Sequence, residues 1–366
     1  MNSGAKYKND YFRIVNKDEL FIQRCIELAL NGAGYVSPNP LVGAIIVHNE
    51  KIIGEGWHKK FGESHAEVNA INSVEDKNIL SASTLYVNLE PCCHQGKTPA
   101  CCDLIIKNRF QKVVVGMTDP FEKVLGEGVK KLRAAGIEVV ENILQKKCEE
   151  LNKRFITFHA KKRPYIILKW TQTLDGFIAP DISKMSAEEF ENKRHITGFV
   201  VQKLVHKWRS EEDAILVGTN TAMHDNPALN VRSWNGKNPA RIIIDRNLRL
   251  PRSLKIFDQT QPTIIFNYRK KDSTQSNLNF ISIDFTKDIS SQIIEKLFSL
   301  NIQSLIIEGG TKTLETFINS GLWDEAQLFI SPKILCDGIK APTISGKIIH
   351  QNKIDGVRLT IYSNHN

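Results

Sequence analysis

His65, Glu67, Cys92 and Cys101 are the residues of this 366-residue chain whose types and spacing point most directly to chemistry. One alanine separates His65 from Glu67, Cys92 directly follows Pro91, and Cys101 lies nine positions beyond Cys92. One imidazole and two thiolates form the N/S donor set of a catalytic zinc ion that keeps a coordination position open for water. A carboxylate two residues from a ligand, and not itself a ligand, can carry protons between that water and a substrate, which is the role expected of Glu67. Four of the seven cysteines fall in two adjacent pairs, so Cys93 and Cys102 compete as ligands. Cys92 and Cys101 are preferred because the first follows the proline and the second is expected to open a helix, where a thiolate is favoured.

The order H-x-E, then P-C, is that of the zinc-dependent base deaminases, in which an exocyclic amine leaves a ring carbon as ammonia. Deaminases acting on nucleic acid have C-x-x-C after the proline. Here the second thiol is displaced along Cys92-Cys93-His94-Gln95-Gly96-Lys97-Thr98-Pro99-Ala100-Cys101, so that His94 and Lys97 could reach a ring edge or a phosphate. The second half of the chain carries a different signal. An apolar stretch at 304–308 runs into Gly309-Gly310-Thr311-Lys312-Thr313 and a helical pattern. Glycines at a strand-to-helix turn expose backbone N–H groups, and the helix N-terminus favours phosphate. No GxGxxG is present, so the standard dinucleotide fingerprint is absent.

The elements that must position these residues can be read from periodicity. Helical spacing covers 21–30, and strands are expected at 41–47 and 52–57, joined by a short turn. A helix from Ala66, a strand at 84–89, a helix at 101–107, a strand at 113–117, a helix at 130–135 and a strand at 137–140 follow. A hairpin followed by βα alternation predicts an α/β domain with a mixed sheet. A basic helix over 145–162 leads to Arg163-Pro164, a plausible boundary, which gives domains at 1–150 and 151–366. Beyond it, strands at 166–170, 214–218, 241–245, 263–266 and 304–308, with helices at 199–208 and 290–300, predict a second α/β domain of more parallel character. Residues 180–192 read as an irregular or inserted segment.

Composition narrows the class. Hydrophobic and charged contents of 41% and 24% argue against disordered and fibrous chains. No apolar run approaches the ~20 residues of a transmembrane helix, and no secretory leader is visible, so a cytoplasmic location is expected. Clustered cysteines in such a chain indicate metal chemistry more than a disulfide framework, and Cys25, Cys148 and Cys336 read as small buried hydrophobes. The net charge of +9 is uneven: residues 1–150 hold 19 basic and 19 acidic side chains, residues 151–366 hold 30 and 21.

Taken together, Ser37-Pro38-Asn39-Pro40-Leu41-Val42-Gly43, Gly54-Glu55-Gly56-Trp57-His58, His65-Ala66-Glu67-Val68-Asn69-Ala70 and Glu90-Pro91-Cys92 with Cys101 resemble the deaminase half of the bifunctional deaminase–reductases of riboflavin biosynthesis. Thr171-Gln172-Thr173-Leu174-Asp175-Gly176, residues 225–232 and Glu308-Gly309-Gly310 resemble their reductase half. The resemblance implies a cytidine-deaminase-like domain followed by a dihydrofolate-reductase-like domain. It implies hydrolytic deamination of 2,5-diamino-6-(5-phosphoribosylamino)pyrimidin-4(3H)-one at zinc, then hydride transfer from NADPH to the ribose C1′, giving 5-amino-6-(5-phosphoribitylamino)uracil. It places the nicotinamide cofactor near Thr171, His195, Thr221, Asp225, Asp245 and the turn Gly310, Thr311, Lys312, Thr313, Leu314, Glu315 and Thr316. It places the phosphorylated substrate near Lys193, Arg209, Leu229, Arg232 and Glu308.

Guanidinium forks bind phosphate oxygens bidentately, which suits Arg209 and Arg232 to a phosphate clamp. Asp225 could relay a proton or cap a helix, and Glu308, after an apolar strand, needs a partner that a ligand hydroxyl could supply. The chain departs from the family at Cys93 (often Ser), at Phe121 in Asp119-Pro120-Phe121 (commonly Asn) and at His195 (often Trp). The rival reading is an RNA- or nucleoside-acting zinc deaminase fused to a basic binding module. It would call for aromatic platforms interleaved with Lys and Arg, and aromatic content is only 8%. The partners expected are a small phosphorylated pyrimidine and a second copy of the chain, with neither nucleic acid nor a membrane.

Overall fold

The computed structural model describes residues 16–93, 100–120, 126–269 and 276–364, and the chain divides into two compact units, Met1–Lys153 and Arg154–Asn366. The first unit opens with α1 (Lys17–Leu30), whose N-cap Asn16 accepts the Asp18 N–H. Strands β1 (Gly43–His48) and β2 (Lys51–Trp57) form an antiparallel hairpin, and α2 (Ala66–Ser73) follows. Then come β3 (Thr84–Val87), α3 (Cys101–Lys107), β4 (Lys112–Val115), α4 (Glu127–Ala134), β5 (Glu138–Val140) and α5 (Gln145–Leu151). The sheet order is β2-β1-β3-β4-β5, with β3, β4 and β5 parallel, so the sheet is mixed. Val113, Val114 and Val115 are all buried, the continuous apolar run that a two-sided parallel strand requires.

Two glycines set how closely the helices approach this sheet. A Cβ on Gly43 would collide with the Cys25 carbonyl of α1, and one on Gly56 would collide with the Ala70 nitrogen and Asn69 carbonyl carbon of α2. Because α2 lies directly on β2, the residues at its N-terminus are fixed against the sheet. Asn69 tightens this further by donating from Nδ2 to the carbonyls of Trp57 (2.8 Å) and Ser64 (3.2 Å), across the connection that ends at His65.

After α6 (Lys153–Lys161) the second unit runs β6 (Tyr165–Gln172), β7 (Phe177–Ala179), α7 (Ala187–Arg194), α8 (Phe199–Glu211), β8 (Ala214–Gly218), α9 (Thr219–Asp225) and β9 (Ala240–Ile244). It continues with β10 (Thr263–Asn267), β11 (Leu278–Ser282), α10 (Ile289–Ser299), β12 (Ser304–Ile307), α11 (Thr311–Asn319), β13 (Glu325–Ile330), β14 (Ile339–Lys340), β15 (Lys347–Ile354) and β16 (Val357–Ser363). The nine-stranded sheet is ordered β11-β10-β9-β8-β12-β6-β13-β16-β15 and is parallel from β11 through β13. Alternate residues of each strand feed two cores: Ile166, Leu168, Leu216 and Ile307 pack on one face, Ile167, Ile215, Val217 and Ile306 on the other.

Several local expectations change. The basic helix over 145–162 is two helices interrupted at Asn152, whose buried amide accepts from the Leu41 N–H (2.8 Å) and donates to the Leu41 carbonyl (3.0 Å). Part of the segment 180–192, expected to be irregular, lies in α7 (Ala187–Arg194), started by a capping box in which Ser186 and Glu189 satisfy each other's backbone N–H. Strands β11, β13, β15 and β16 were not anticipated: β15 is almost wholly exposed, and β13 opens with buried polar residues Glu325 and Gln327 that hide its apolar pattern. Cys336 is exposed, its backbone N–H held by Asp175, and is not a core residue. Among the described residues no helix is long and apolar enough to cross a membrane.

The seating of α2 is testable. Gly56→Ala must push α2 off β2, so the variant should lose about 1–3 kcal/mol of stability, the usual cost of overpacking, in urea denaturation followed by circular dichroism. Unchanged stability would show that α2 has room to shift.

Candidate active sites

Three elements converge at one end of the first sheet. His65 is the N-cap of α2, Cys92 lies in the connection after β3, and Cys101 is the first residue of α3. Their donor atoms all lie within 4.8 Å of one another. His65 Nδ1 is 3.3 Å from Cys101 Sγ and 3.6 Å from Cys92 Sγ, and the Cys101 N–H donates to Cys92 Sγ at 3.4 Å. One borderline nitrogen and two soft sulfurs with no carboxylate among them is the donor chemistry that fits zinc. Cys102, the rival ligand, points elsewhere: its thiol is buried and donates to the carbonyls of Pro91 (3.4 Å) and Gly128 (3.6 Å). Cys93 is half-buried and packs against the core.

The electrostatics of the cluster follow from this crowding. A hydrogen bond from the Cys101 thiol, outweighing burial, lowers Cys92 to about 4, while Cys101 is pushed up by holding that proton. The hydrogen bond to Cys92 raises His65. Glu67, on the first turn of α2 and only 3% exposed, is raised by burial and by the Cys92 charge. His58 stacks edge-on against His65 with centroids 5.4 Å apart; its Nδ1 faces the Ser64 carbonyl at 3.1 Å and its Nε2 the Asn39 amide at 3.1 Å. The ring therefore donates from Nδ1 and accepts at Nε2.

Glu90, quoted only as part of a motif, braces this site from behind. Its carboxylate accepts the backbone N–H groups of Asp119 (3.1 Å), Gly126 (3.0 Å) and Val129 (3.2 Å), so it caps α4 and anchors the connection before it. The signal was there: an acid between an apolar strand and Pro91 is buried and must find donors. His94 and Lys97, and Phe121, lie outside the described residues.

In the second unit a cleft of about 740 Å³ opens at the carboxyl ends of the parallel strands. Thr171, His195, Thr221, Asp225, Gly310, Thr311, Lys312, Thr313 and Thr316 line it, as does Glu308. Leu314 is fully buried in the core, as helical periodicity demands when 312, 313 and 316 face the opening, and Glu315 is not among the lining residues. Gly309 and Gly218 leave the space that Thr313 fills: a Cβ on either would lie 2.7 or 2.5 Å from its side chain. The Gly310 N–H donates to Thr221 Oγ1 at 3.1 Å, and no side chain caps α11. An uncapped helix start, glycine-lined and open, fits the phosphates of a dinucleotide.

Asp245 and Leu229 play other parts than lining. Asp245, 2% exposed, accepts the N–H groups of Arg249 (3.1 Å) and Leu250 (3.0 Å), fixing the turn that brings Arg249 to the cleft. Leu229 is buried in the opposite core, and Lys193 is exposed at the end of α7. Arg249 went unremarked in the sequence, although an Arg close behind an acidic strand end is the pattern that accommodates an extra 2′-phosphate.

Lys169 was also missed. It lies within β6, a central parallel strand, where a lysine is conspicuous because such strands exclude charge. Its Nζ is 3.4 Å from Glu308 Oε2, and Arg209 holds the same carboxylate through two bonds, Nε to Oε1 at 2.7 Å and Nη2 to Oε2 at 2.8 Å. Glu308 therefore finds partners within the protein, and Arg209 engages it through Nε and Nη2. Burial pushes Glu308 up, but Arg209 and Lys169 outweigh it and hold the carboxyl at about 2. Burial and the Arg209 charge lower Lys169. Arg232 is exposed on the loop after α9.

Comparison with known proteins gives two family matches. Residues 15–117 match the cytidine and deoxycytidylate deaminase zinc-binding region, and residues 164–363 match the RibD C-terminal domain. The riboflavin biosynthesis protein RibD of Aquifex aeolicus is 38% identical over 339 residues, 92% of each chain. The Escherichia coli protein of that name is 34% identical over 337 residues, 87% of this chain and 89% of the other. The solved structure of a diaminohydroxyphosphoribosylaminopyrimidine deaminase/5-amino-6-(5-phosphoribosylamino)uracil reductase from Thermotoga maritima is 34% identical, with a TM-score of 0.85 over 95% of this chain and 99% of that one.

The two neighbouring cysteines separate cleanly by substitution. Cys101→Ser should cut the zinc content of the purified chain by roughly tenfold or more, while Cys102→Ser should keep it, as read by atomic absorption. Equal zinc in both variants would move the ligand role away from Cys101.

Proposed function

The chain belongs to the RibD family of riboflavin biosynthesis proteins, and on that premise we propose which of its residues carry the two reactions. It is a bifunctional deaminase and reductase, with zinc and NADPH as its cofactors. The substrate of the first step, in this reading, is 2,5-diamino-6-(5-phosphoribosylamino)pyrimidin-4(3H)-one. Its deaminated product is then reduced at the sugar to 5-amino-6-(5-phosphoribitylamino)uracil. The observation that carries the reading is the coexistence in one chain of a half-buried His-Cys-Cys donor cluster beside a buried acid and a glycine-lined cleft beside a charged cluster.

His65, Cys92 and Cys101 would hold the zinc, which when bound supplies a Lewis-acidic centre that makes water nucleophilic near neutral pH. Glu67 holds and moves the proton at its carboxylate, a short reach from Cys101 and shielded from bulk water. His58 and Asn39 orient one another beside His65 and present a fixed polar edge. The domains follow as deaminase over 1–150 and reductase over 151–366.

In the reductase, NADPH supplies the hydride when bound. The α11 start and Thr221 would cradle its phosphates, Lys312 and Arg249 would meet the negative charge, and Thr171, His195 and Asp225 would flank the nicotinamide side. Asp245 serves by holding the Arg249 turn. Glu308 and Lys169 would face the sugar, while Arg232 and Lys193 would meet the substrate phosphate. The charge excess of the second half then serves small anions rather than a nucleic-acid backbone. A cytoplasmic location, where paired thiols stay reduced, and a homo-oligomeric state complete the reading.

Glu67→Gln tests the deaminase assignment. The variant should retain zinc and lose deamination by roughly 10²–10⁴-fold, while NADPH oxidation with the already deaminated substrate stays near wild type. Full deamination in this variant would remove Glu67 from the mechanism, and no NADPH oxidation by the wild type would remove the bifunctional reading.

A further inference from the structure

His206 lies on α8, one turn before Arg209, and is 3% exposed. Its Nδ1 accepts the backbone N–H of Arg232 at 3.0 Å. An imidazole nitrogen can accept only when it carries no proton, so this bond exists only for the neutral ring with its proton on Nε2. The surroundings enforce that state. Burial, together with the charges of Arg209, Arg232 and Lys169 and against the attraction of Glu308, lowers His206 to about 4.

The loop that His206 holds is pinned along its length. The carbonyl of Ala228 accepts from Arg241 Nε at 2.9 Å and that of Leu229 from Gln261 Nε2 at 3.1 Å. The Val231 N–H donates to Asn238 Oδ1 at 2.8 Å. Arg241 is wholly buried and anchored by Asp258 at 2.7 Å. Asn226 and Leu229 both take positive φ, +41° and +52°, a path that costs energy for non-glycine residues and persists only where neighbours fix it. His206 makes the last of these attachments, at the residue whose side chain the proposed function assigns to the phosphate. Through Arg209, the same helix also grips Glu308.

We propose that His206 is a positioning residue of the reductase, its neutral Nδ1 fixing the Arg232 backbone so that the arginine and the Glu308 cluster are held at a set separation from one helix. The inference rests on the reading that Arg232 meets the substrate phosphate. A hydrogen bond that only places a binding group should act on substrate affinity and leave the hydride step and the cofactor site alone.

The experiment uses the whole chain, with circular dichroism and thermal unfolding as the fold control in each preparation. His206→Leu should raise KM for 5-amino-6-(5-phosphoribosylamino)uracil by ~tenfold while kcat and KM for NADPH change little, and His206→Asn, which offers an acceptor in the same place, should recover most of the loss. In an Arg232→Gln background, His206→Leu should add little further, since the two act through one contact. A normal KM in Arg232→Gln would overturn the phosphate assignment itself. A normal KM in His206→Leu beside an impaired Arg232→Gln would overturn the positioning role, as would an equal loss of kcat and cofactor affinity. If His206→Leu does not fold, the pH profile decides. The wild-type KM should rise as pH falls toward about 4, more steeply than that of His206→Asn, which cannot titrate, and matching profiles would overturn the proposal.

Discussion

Strands buried on both faces leave no place for charge except beyond their carboxyl ends, and both sites of this chain follow from that constraint. In the first unit the parallel run β3-β4-β5 delivers its connections to the end where Cys92 and Cys101 meet His65. In the second, β6, β8, β9 and β12 all point toward the cleft that holds Thr171, Asp225, Arg249 and the Gly309-Gly310 turn. Helices that begin at the same end add unsatisfied backbone N–H groups, so thiolates and phosphates are drawn to where the sheets cannot hold charge. The chemistry differs between the units, but the reason for its location is the same.

Lys169 and Arg241 are exceptions, cations inside central strands, and Lys169 is the one beside the cleft. Desolvation would neutralise an isolated lysine there, and the carboxylate of Glu308 is what offsets that cost. Buried ion pairs add little net stability compared with a well-packed apolar replacement. The Lys169–Glu308–Arg209 cluster is thus better understood as charge held in a fixed place beside a cleft than as a brace for the fold. A carboxylate already gripped by a bidentate guanidinium does not reorganise when a ligand arrives, and pre-set polarity of that kind is what a reaction site needs.

Residue type and spacing made the metal donors legible, since few sets of one His and two Cys beside an acid have another use, and the structure brings those donors together. The expected helix start favoured Cys101 over Cys102, and the first turn of α3 gives the reason in space, aiming one thiol at His65 and the other at the Pro91 carbonyl. Helical phase similarly separates Thr313 from Leu314 within a run of consecutive candidates. Arg209 shows the opposite limit. Its guanidinium suits a phosphate and a carboxylate equally well, and the partner that claims it lies 99 residues away in sequence. Long-range pairing also broke the basic helix at Asn152, where a side-chain amide substitutes for a strand partner on Leu41. Strand β13 was hidden because it opens with the buried polar pair Glu325 and Gln327, joined by the Gln327 amide N–H, which breaks the apolar pattern a strand would show.

The uneven charge of the chain takes its meaning from which cations are already spent. Arg154 is committed to Glu212, Arg163 to Asp324, Arg209 to Glu308 and Arg241 to Asp258, each through a carboxylate inside the second unit. These four pairs cancel in any count and carry no information about partners. Cations outside these four pairs include Lys312 and Arg249, which line the cleft, and Arg232, exposed on the adjoining loop, beside others spread over the surface such as Lys203, Lys296 and Lys353. A long polyanion would be met by cations spread over an open face, because its charge is periodic along a backbone. Cations gathered at a helix start, at a turn fixed by Asp245 and on a loop fixed by Arg241 and His206 would, in the proposed reading, meet a few phosphates at fixed separations, as a dinucleotide and a phosphosugar present them.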